Sequence, residues 1–166
     1  LSVATIGNGG VAGNLGQAGN AAGNLVFDGG ALQYTGSTAS TDRSFTINTG
    51  KIAAFDITTN SLTVSGAAPA TTGGLTKSGA GTLILSGANA YTGATTVSAG
   101  VLQAGVSTNA FGNNSPVTLN NTAGVSLNLA VFSNTIGSLN GGGGTGGNVS
   151  LGTGTLTTGS LNTPDS

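Results

Sequence analysis

The apolar positions of this chain recur in short runs of period two. Leu25 and Phe27 share one side of such a run, as do Leu32 and Tyr34, Phe45 and Ile47, Phe55 and Ile57, and Leu62 and Val64. The clearest stretch runs from Gly74 to Gly105, GLTKSGAGTLILSGANAYTGATTVSAGVLQAG. Four alternations lie within it, closed by glycines at Gly79, Gly87, Gly100 and Gly105. The pattern then continues through Val117 and Leu119, Val125, Leu127 and Leu129, Ile136 and Leu139, Val149 and Leu151, and Leu156. Alternation of period two, bounded by Gly, Asn and Ser, marks strands with one buried face. No long stretch carries a helical period, so the pattern predicts an all-β chain with almost no helix.

None of these runs of four to six residues makes a stable sheet alone. They make sense as the sides of a coil that winds repeatedly and stacks each turn on the last, a β-solenoid. About fourteen strand-like runs, at two or three per turn, give roughly five to eight turns. At ~4.8 Å per turn the rod is roughly 25 to 40 Å long. The whole of 1–166 reads as one solenoid segment. Residues 1–24 are loosely patterned coil, with sparse Val3, Ile6, Val11 and Leu15 among Gly, Asn and Ala. Residues 74–105 form the central repeat and 106–166 further coils. Pro116 falls at a strand start, where its missing N–H costs least. The Gly-rich run from Gly141 to Gly147 reads as a loop. The tail SLNTPDS is expected to fray or to continue into further sequence.

Charge changes the picture most. Only 4% of residues are charged, against roughly 25% in ordinary domains. With three basic residues, no His and a net charge of −1, there is no basic stripe for phosphates. Nucleic-acid binding and attraction to anionic membranes are therefore excluded. No apolar run reaches the ~20 residues of a spanning helix, so no membrane insertion of this segment is expected. Cys is absent, which rules out disulfides, thiolate metal sites and, with His missing too, Ser-His or Cys-His nucleophiles. No cofactor or metal is expected. A stacked coil also explains the low charge. Like charges ~4.8 Å apart in successive turns repel by about 0.9 kcal/mol even in water, whereas Asn, Thr and Ser can form hydrogen-bonded ladders.

The central stretch resembles the passenger-associated repeat of bacterial autotransporters, G-L-x-K-x-G-x-G-T-L-x-L-x-G-x-N-x-Y-x-G-x-T-x-V-x-x-G-x-L. The matching residues are Gly74, Leu75, Lys77, Gly79, Gly81, Thr82, Leu83, Leu85, Gly87, Asn89, Tyr91, Gly93, Thr95, Val97, Gly100 and Leu102. Ala90 stands where Thr is usual. The resemblance implies a right-handed parallel β-helix exported through the outer membrane by a C-terminal barrel, with the repeat assisting secretion and folding. It further implies an extracellular, cell-surface location. Neither a signal peptide nor a barrel is present between Leu1 and Ser166, so the expectation is a passenger segment or a processed product.

Several individual polar residues are candidates for chemistry. Lys77 could mark a partner contact and Tyr91 a platform for sugar. The reading adopted is structural: Lys77 caps a turn, and Tyr91 packs across one with its hydroxyl outward. Asp42, Arg43, Lys51 and Asp56 gather most of the charge, and Asp28, Asp42 and Asp56 recur every fourteen residues. Such a set suggests a glycan-cleaving pair of carboxylates, but nothing near them sets their pKa values apart, and a solvated surface cluster is expected instead. GGGGTG at 141–146 satisfies GxGxxG but is followed by strand-like Asn148-Val149-Ser150-Leu151, which removes a nucleotide site. A single Asp28-Gly29-Gly30 does not make a calcium repeat. Thr155 and Thr157 do not make the regular threonine ladder that binding ice requires. Asn-x-Ser/Thr triplets at Asn113, Asn120 and Asn148 are what chance supplies in this composition.

The expectation is therefore a non-enzymatic, structural solenoid outside the cell, a stalk-like passenger segment of an adhesin-like protein with a surface or glycan ligand unknown. A head-to-tail homopolymer joined through open coil ends is the alternative, and a glycan-cleaving enzyme the third reading.

Overall fold

The computed structural model describes residues 1–159; the tail Ser160–Ser166, for which fraying was expected, lies outside them. Among the described residues, seventeen short strands wind as a parallel solenoid with two principal sheets. The first sheet stacks β1 (Ser2–Val3), β3 (Ala31–Tyr34), β6 (Ile52–Ile57), β8 (Gly74–Ser78), β10 (Thr95–Val97), β12 (Pro116–Leu119) and β15 (Ser138–Gly141). The second stacks β4 (Ala39–Thr41), β7 (Ser61–Val64), β9 (Thr82–Leu85), β11 (Val101–Ala104), β13 (Ser126–Asn128) and β16 (Asn148–Ser150). A third side is closed by β2 (Val26–Phe27) against β5 (Thr46–Ile47) at one end, and by β14 (Asn134–Thr135) against β17 (Leu156–Thr157) at the other. Between them, extended segments are joined by single backbone bonds, such as Ala90 N–H to Ala68 O at 2.8 Å and Asn113 N–H to Tyr91 O at 2.8 Å.

All strand pairings among the described residues are parallel. The chain makes about six turns, within the expected range, and at ~4.8 Å per turn the stack is roughly 30 Å long. The only helical element described is a 3-10 turn at Ala22–Asn24.

Register follows directly from the alternation. Leu75 lies over Ala53, Thr95 over Leu75 and Val117 over Thr95, steps of 22, 20 and 22 residues. Inward positions therefore stack over inward positions. Leu62, Leu83, Leu102 and Leu127 form one buried leucine column on the second sheet. At the N-terminal end Phe27, Phe45 and Phe55 pack as a ring cluster with centroids 5.1–6.0 Å apart. The apolar teeth expected from sequence point inward up to the last coil. There Val149 and Leu151 remain exposed, because no coil among the described residues lies beyond them.

Residues 1–24 are only partly coil. Ser2–Val3 joins the first sheet, but the chain from Gly7 to Asn20 crosses the position of a second-sheet strand without pairing as one. Its Gly- and Asn-rich sequence has too few alternating apolar residues to be held by the core, so side chains of the next coil hold it instead, as described below.

At the corner between the two sheets successive coils touch backbone to backbone. A Cβ on Gly81 would lie 1.5 Å from Thr59 O in the coil beneath, and one on Gly100 (φ +64°) 2.4 Å from Gly81 O. Replacing either by Ala forces the coils apart or strains the turn, so Gly81→Ala is expected to cost about 3 kcal/mol. Gly144→Ala, where a Cβ meets nothing, is expected to stay within about 0.5 kcal/mol of wild type. Urea unfolding followed by circular dichroism checks both.

Candidate functional site

The most individual residues of the central repeat face the interior. Lys77 stands on β8 in the inward column between Phe55 below and Val97 above. Its alkyl stem takes the place of an apolar tooth, and the side chain is fully buried. The ammonium turns to the corner and donates to Ser78 O at 2.7 Å, Gly79 O at 2.8 Å and, in the coil above, Ala99 O at 3.1 Å. Gly79 and Gly100, both in left-handed conformation, make the turns whose carbonyls it gathers. Burial pushes the Lys77 pKa down to about 8, opposed by the Asp56 charge.

Asn89 does the same work between coils on the third side. Its Oδ1 accepts from Ala68 N–H below at 2.9 Å, and its Nδ2 donates to Gly87 O at 3.1 Å and to Ala110 O above at 2.9 Å. Asn134 repeats the arrangement higher up: its Oδ1 accepts from Ala110 N–H at 2.9 Å, and its Nδ2 donates to Val106 O at 2.9 Å. Ala110 is thus held from both sides by buried amides.

Tyr91 is fully buried with its hydroxyl inward, contrary to the expectation from sequence. The hydroxyl lies 2.8 Å from Thr95 Oγ1, which donates to Phe111 O at 3.0 Å and lies 3.1 Å from Ser115 Oγ. Three stacked hydroxyl residues make a polar partner available inside the core, and that removes the reason for the ring to reach solvent. Burial raises the Tyr91 pKa well above the usual phenol range, with the Thr95 hydrogen bond opposing. No buried side-chain nitrogen or oxygen among the described residues lacks a partner.

The charged residues do not form the solvated cluster expected. Arg43 is buried and donates from Nε to Gly7 O at 3.0 Å, from Nη1 to Ala18 O at 2.9 Å and from Nη2 to Gly16 O at 2.8 Å. Longer contacts reach Asn8 O and Val11 O. Asp42 accepts from Gly9 N–H at 2.7 Å and from Asn20 Nδ2 at 3.3 Å. These two residues hold the N-terminal excursion, and the carbonyls of that Gly-rich segment solvate the guanidinium in place of water. Asp56, on the first sheet, accepts from Gln33 Nε2 at 2.8 Å. Asp28, on the third side, accepts from Asn48 Nδ2 at 3.2 Å and lies 3.9 Å from Lys51 Nζ. A spacing of fourteen is shorter than one coil, so it disperses the three carboxylates over three sides rather than stacking them.

The remaining candidates resolve simply. In the Gly141–Gly147 loop the amides of Thr145 and Gly146 are taken by Asn121 Oδ1 at 2.9 and 3.0 Å, and β16 follows. Coil register does bring three threonines into one outward column, Thr76, Thr96 and Thr118, where the sequence revealed no ladder. Ala54 below and Asn140 above end it. The aromatic residues offer no exposed ring to a sugar: Tyr34, Tyr91, Phe27, Phe45, Phe55 and Phe111 are buried, and Phe132 is half-buried.

The sequence singled out Lys77, Asn89, Tyr91 and Thr95, placed Arg43 in a solvated cluster although it is buried, and missed Ser115 and Asn134. Arg43 is the single arginine of the chain, and that rarity was its signal. Ser115 and Asn134 become visible only once the coil length is known.

Comparison with known proteins adds a family context. Residues 75–104 match the family model of the passenger-associated transport repeat. The chain is similar to the adhesin BmaC autotransporter of Brucella suis biovar 1 (strain 1330), with 49% identity over 164 residues, 98% of this chain. The chain spans only 5% of that relative's length. No solved structure matches.

Two outcomes follow from the buried polar groups. Asn89→Ala strips partners from a buried N–H and a buried carbonyl in adjacent coils, and is expected to cost about 3 kcal/mol in urea unfolding. Lys77 and Tyr91 set opposite alkaline slopes. Lys77 holds its proton less tightly folded (about 8) than unfolded (10.5), so stability rises with pH between about 8 and 10.5. Tyr91 resists ionisation when folded, so stability falls once the unfolded phenol titrates above 10. A maximum near pH 10 is expected in unfolding midpoints, and Lys77→Met should lose the rise while keeping the fall.

Proposed function

The chain is a segment of an autotransporter passenger domain, and from that premise we propose that it serves as a non-catalytic stalk element of an adhesin-like protein at the bacterial surface. One observation carries this reading. The residues that distinguish the repeat, Lys77, Asn89, Tyr91 and Thr95, are all buried and bonded within the coil stack. Residues used in this way hold one coil to the next and leave none of their polar groups to a substrate. What remains outside is a surface rich in Ser, Thr and Asn with few charges, suited to a solvated rod. Dispersal of the three aspartates argues against glycan cleavage.

A second reading, the head-to-tail fibre, is favoured by the apolar residues open at the two ends, Leu1 and Val26 at one and Val149 and Leu151 at the other. A further coil would cover them, whether from the same polypeptide or from another copy. Electron microscopy of the purified segment separates the two, since filaments many times longer than one roughly 30 Å unit require copies to join end to end.

The stalk reading is tested in the full-length protein displayed on cells. Asn89→Ala is expected to lower the surface amount and protease resistance of the passenger. Combined Asp28→Asn, Asp42→Asn and Asp56→Asn is expected to leave adhesion per displayed molecule unchanged, and enzymatic glycan release absent before and after. Loss of adhesion or of glycan release in the aspartate variant, at undiminished surface level, would overturn the proposal.

A further inference from the structure

Two Asn-Gly steps occur in the sequence, Asn8-Gly9 and Asn140-Gly141, and the fold gives them opposite surroundings. Asn140 belongs to β15, where pairing with Thr118 on β12 holds its backbone extended, and its amide donates to Ser138 Oγ at 3.3 Å. Asn8 lies in the N-terminal excursion, outside every described strand, and is exposed. It opens a turn closed by Val11 N–H to Asn8 O at 3.1 Å, with Gly10 at φ +83°. Gly9 is pinned in that turn, because a Cβ on it would lie 2.2 Å from Asn20 N.

Asp42 and Arg43 address this one step at three atoms. Gly9 N–H donates to Asp42 Oδ1 at 2.7 Å, and Asp42 N–H donates to Asn8 Oδ1 at 3.1 Å. Arg43 Nη2 donates at 3.3 Å to Asn8 O, the carbonyl conjugated with the Gly9 nitrogen. A carboxylate thus faces the N–H that must lose its proton, and a donor faces the side-chain oxygen that must gain charge. The guanidinium faces the oxygen over which a deprotonated amide spreads its charge. These are the base and the oxyanion partners of one ring closure.

We propose that Asn8-Gly9 is a self-modification site, at which the Gly9 nitrogen attacks the Asn8 side chain with Asp42 as the base. The Gly9 nitrogen gives its proton to Asp42 and forms a bond to Asn8 Cγ. The Cγ–Nδ2 bond breaks, and the nitrogen leaves as ammonia with the proton returned by Asp42. Water then opens the five-membered succinimide at either carbonyl, leaving an aspartyl or an isoaspartyl residue at position 8. Both partners of the attack belong to adjacent residues, so the fold has only to orient them. Either product exchanges a neutral amide for a negative charge beside Asp42, at the point where the excursion is held. The reaction needs nothing but water from outside the chain, and it does not rest on the stalk reading.

The purified chain is incubated at neutral pH, and conversion at each Asn-Gly step is followed by mass spectrometry of its peptides, with isoaspartate and released ammonia measured in parallel. Asn8 is expected to convert faster than Asn140 by roughly tenfold or more, and Asp42→Asn, which keeps an acceptor but cannot take up the proton, to slow Asn8 by a similar factor. Circular dichroism verifies the fold of that variant. In urea the wild-type chain is expected to convert Asn8 more slowly than when folded, and at a rate close to that of Asn140. This comparison decides the matter alone should Asp42→Asn unfold. Equal rates at the two steps in the folded chain, an unchanged rate in folded Asp42→Asn, or an Asn8 that reacts as fast in urea as in the native chain would each overturn the assignment. None of these outcomes bears on adhesion by the displayed protein, so failure here leaves the stalk reading standing.

Discussion

The constraint on which everything else depends is the parallel stacking of equivalent residues at one strand spacing. Within the strands, backbone N–H and C=O groups of one coil pair with those of the coil above or below, so strand side chains sit over their counterparts at ~4.8 Å. Leucine over leucine makes a core from single residues per turn. Charge over charge is repelled, and the chain accordingly keeps only 4% charged residues. Composition, register and surface chemistry are thus three consequences of one geometric repeat.

That repeat also explains why polar residues appear in the core at all. A three-sided coil must turn sharply at its corners, and the corner carbonyls of successive coils converge where no strand can pair them. Lys77 satisfies three of them, and Asn89 and Asn134 bridge the third side, where strand pairing is sparse. A buried amide with all its bonds made fixes register more narrowly than an apolar contact, because sliding by one residue would leave a donor stranded. The central repeat places such devices on two adjacent coils: β8 pairs with β10 and β9 with β11, all within residues 74–105.

Much of this was legible in the sequence, because a period of two with glycine punctuation leaves few architectures open. Phe45, Ile47, Leu83 and Leu127 could be assigned inward without coordinates, and the near-absence of helix followed from the same pattern. What could not be read was anything dependent on coil length. Asp28, Asp42 and Asp56 looked stackable at a spacing of fourteen, but the coil steps by 20 to 22 residues between Ala53 and Val117. The Thr76–Thr96–Thr118 column was invisible for the same reason, since those residues are distant along the chain and adjacent only in the stack. Arg43 and Tyr91 were misjudged on a different ground. Both carry groups that ordinarily seek water, and only the structure reveals the carbonyls and hydroxyls that replace it.

The burial of two of the three basic residues has a consequence for proteolysis. A trypsin-like protease must draw a lysine or arginine, on pliant backbone, into its specificity pocket. Arg43 is wrapped by carbonyls and Lys77 is sealed between coils, which leaves Lys51, half exposed at a turn beside Asp28, as the one accessible cleavage point. Serine proteases of that specificity therefore meet a surface with almost nothing to cut.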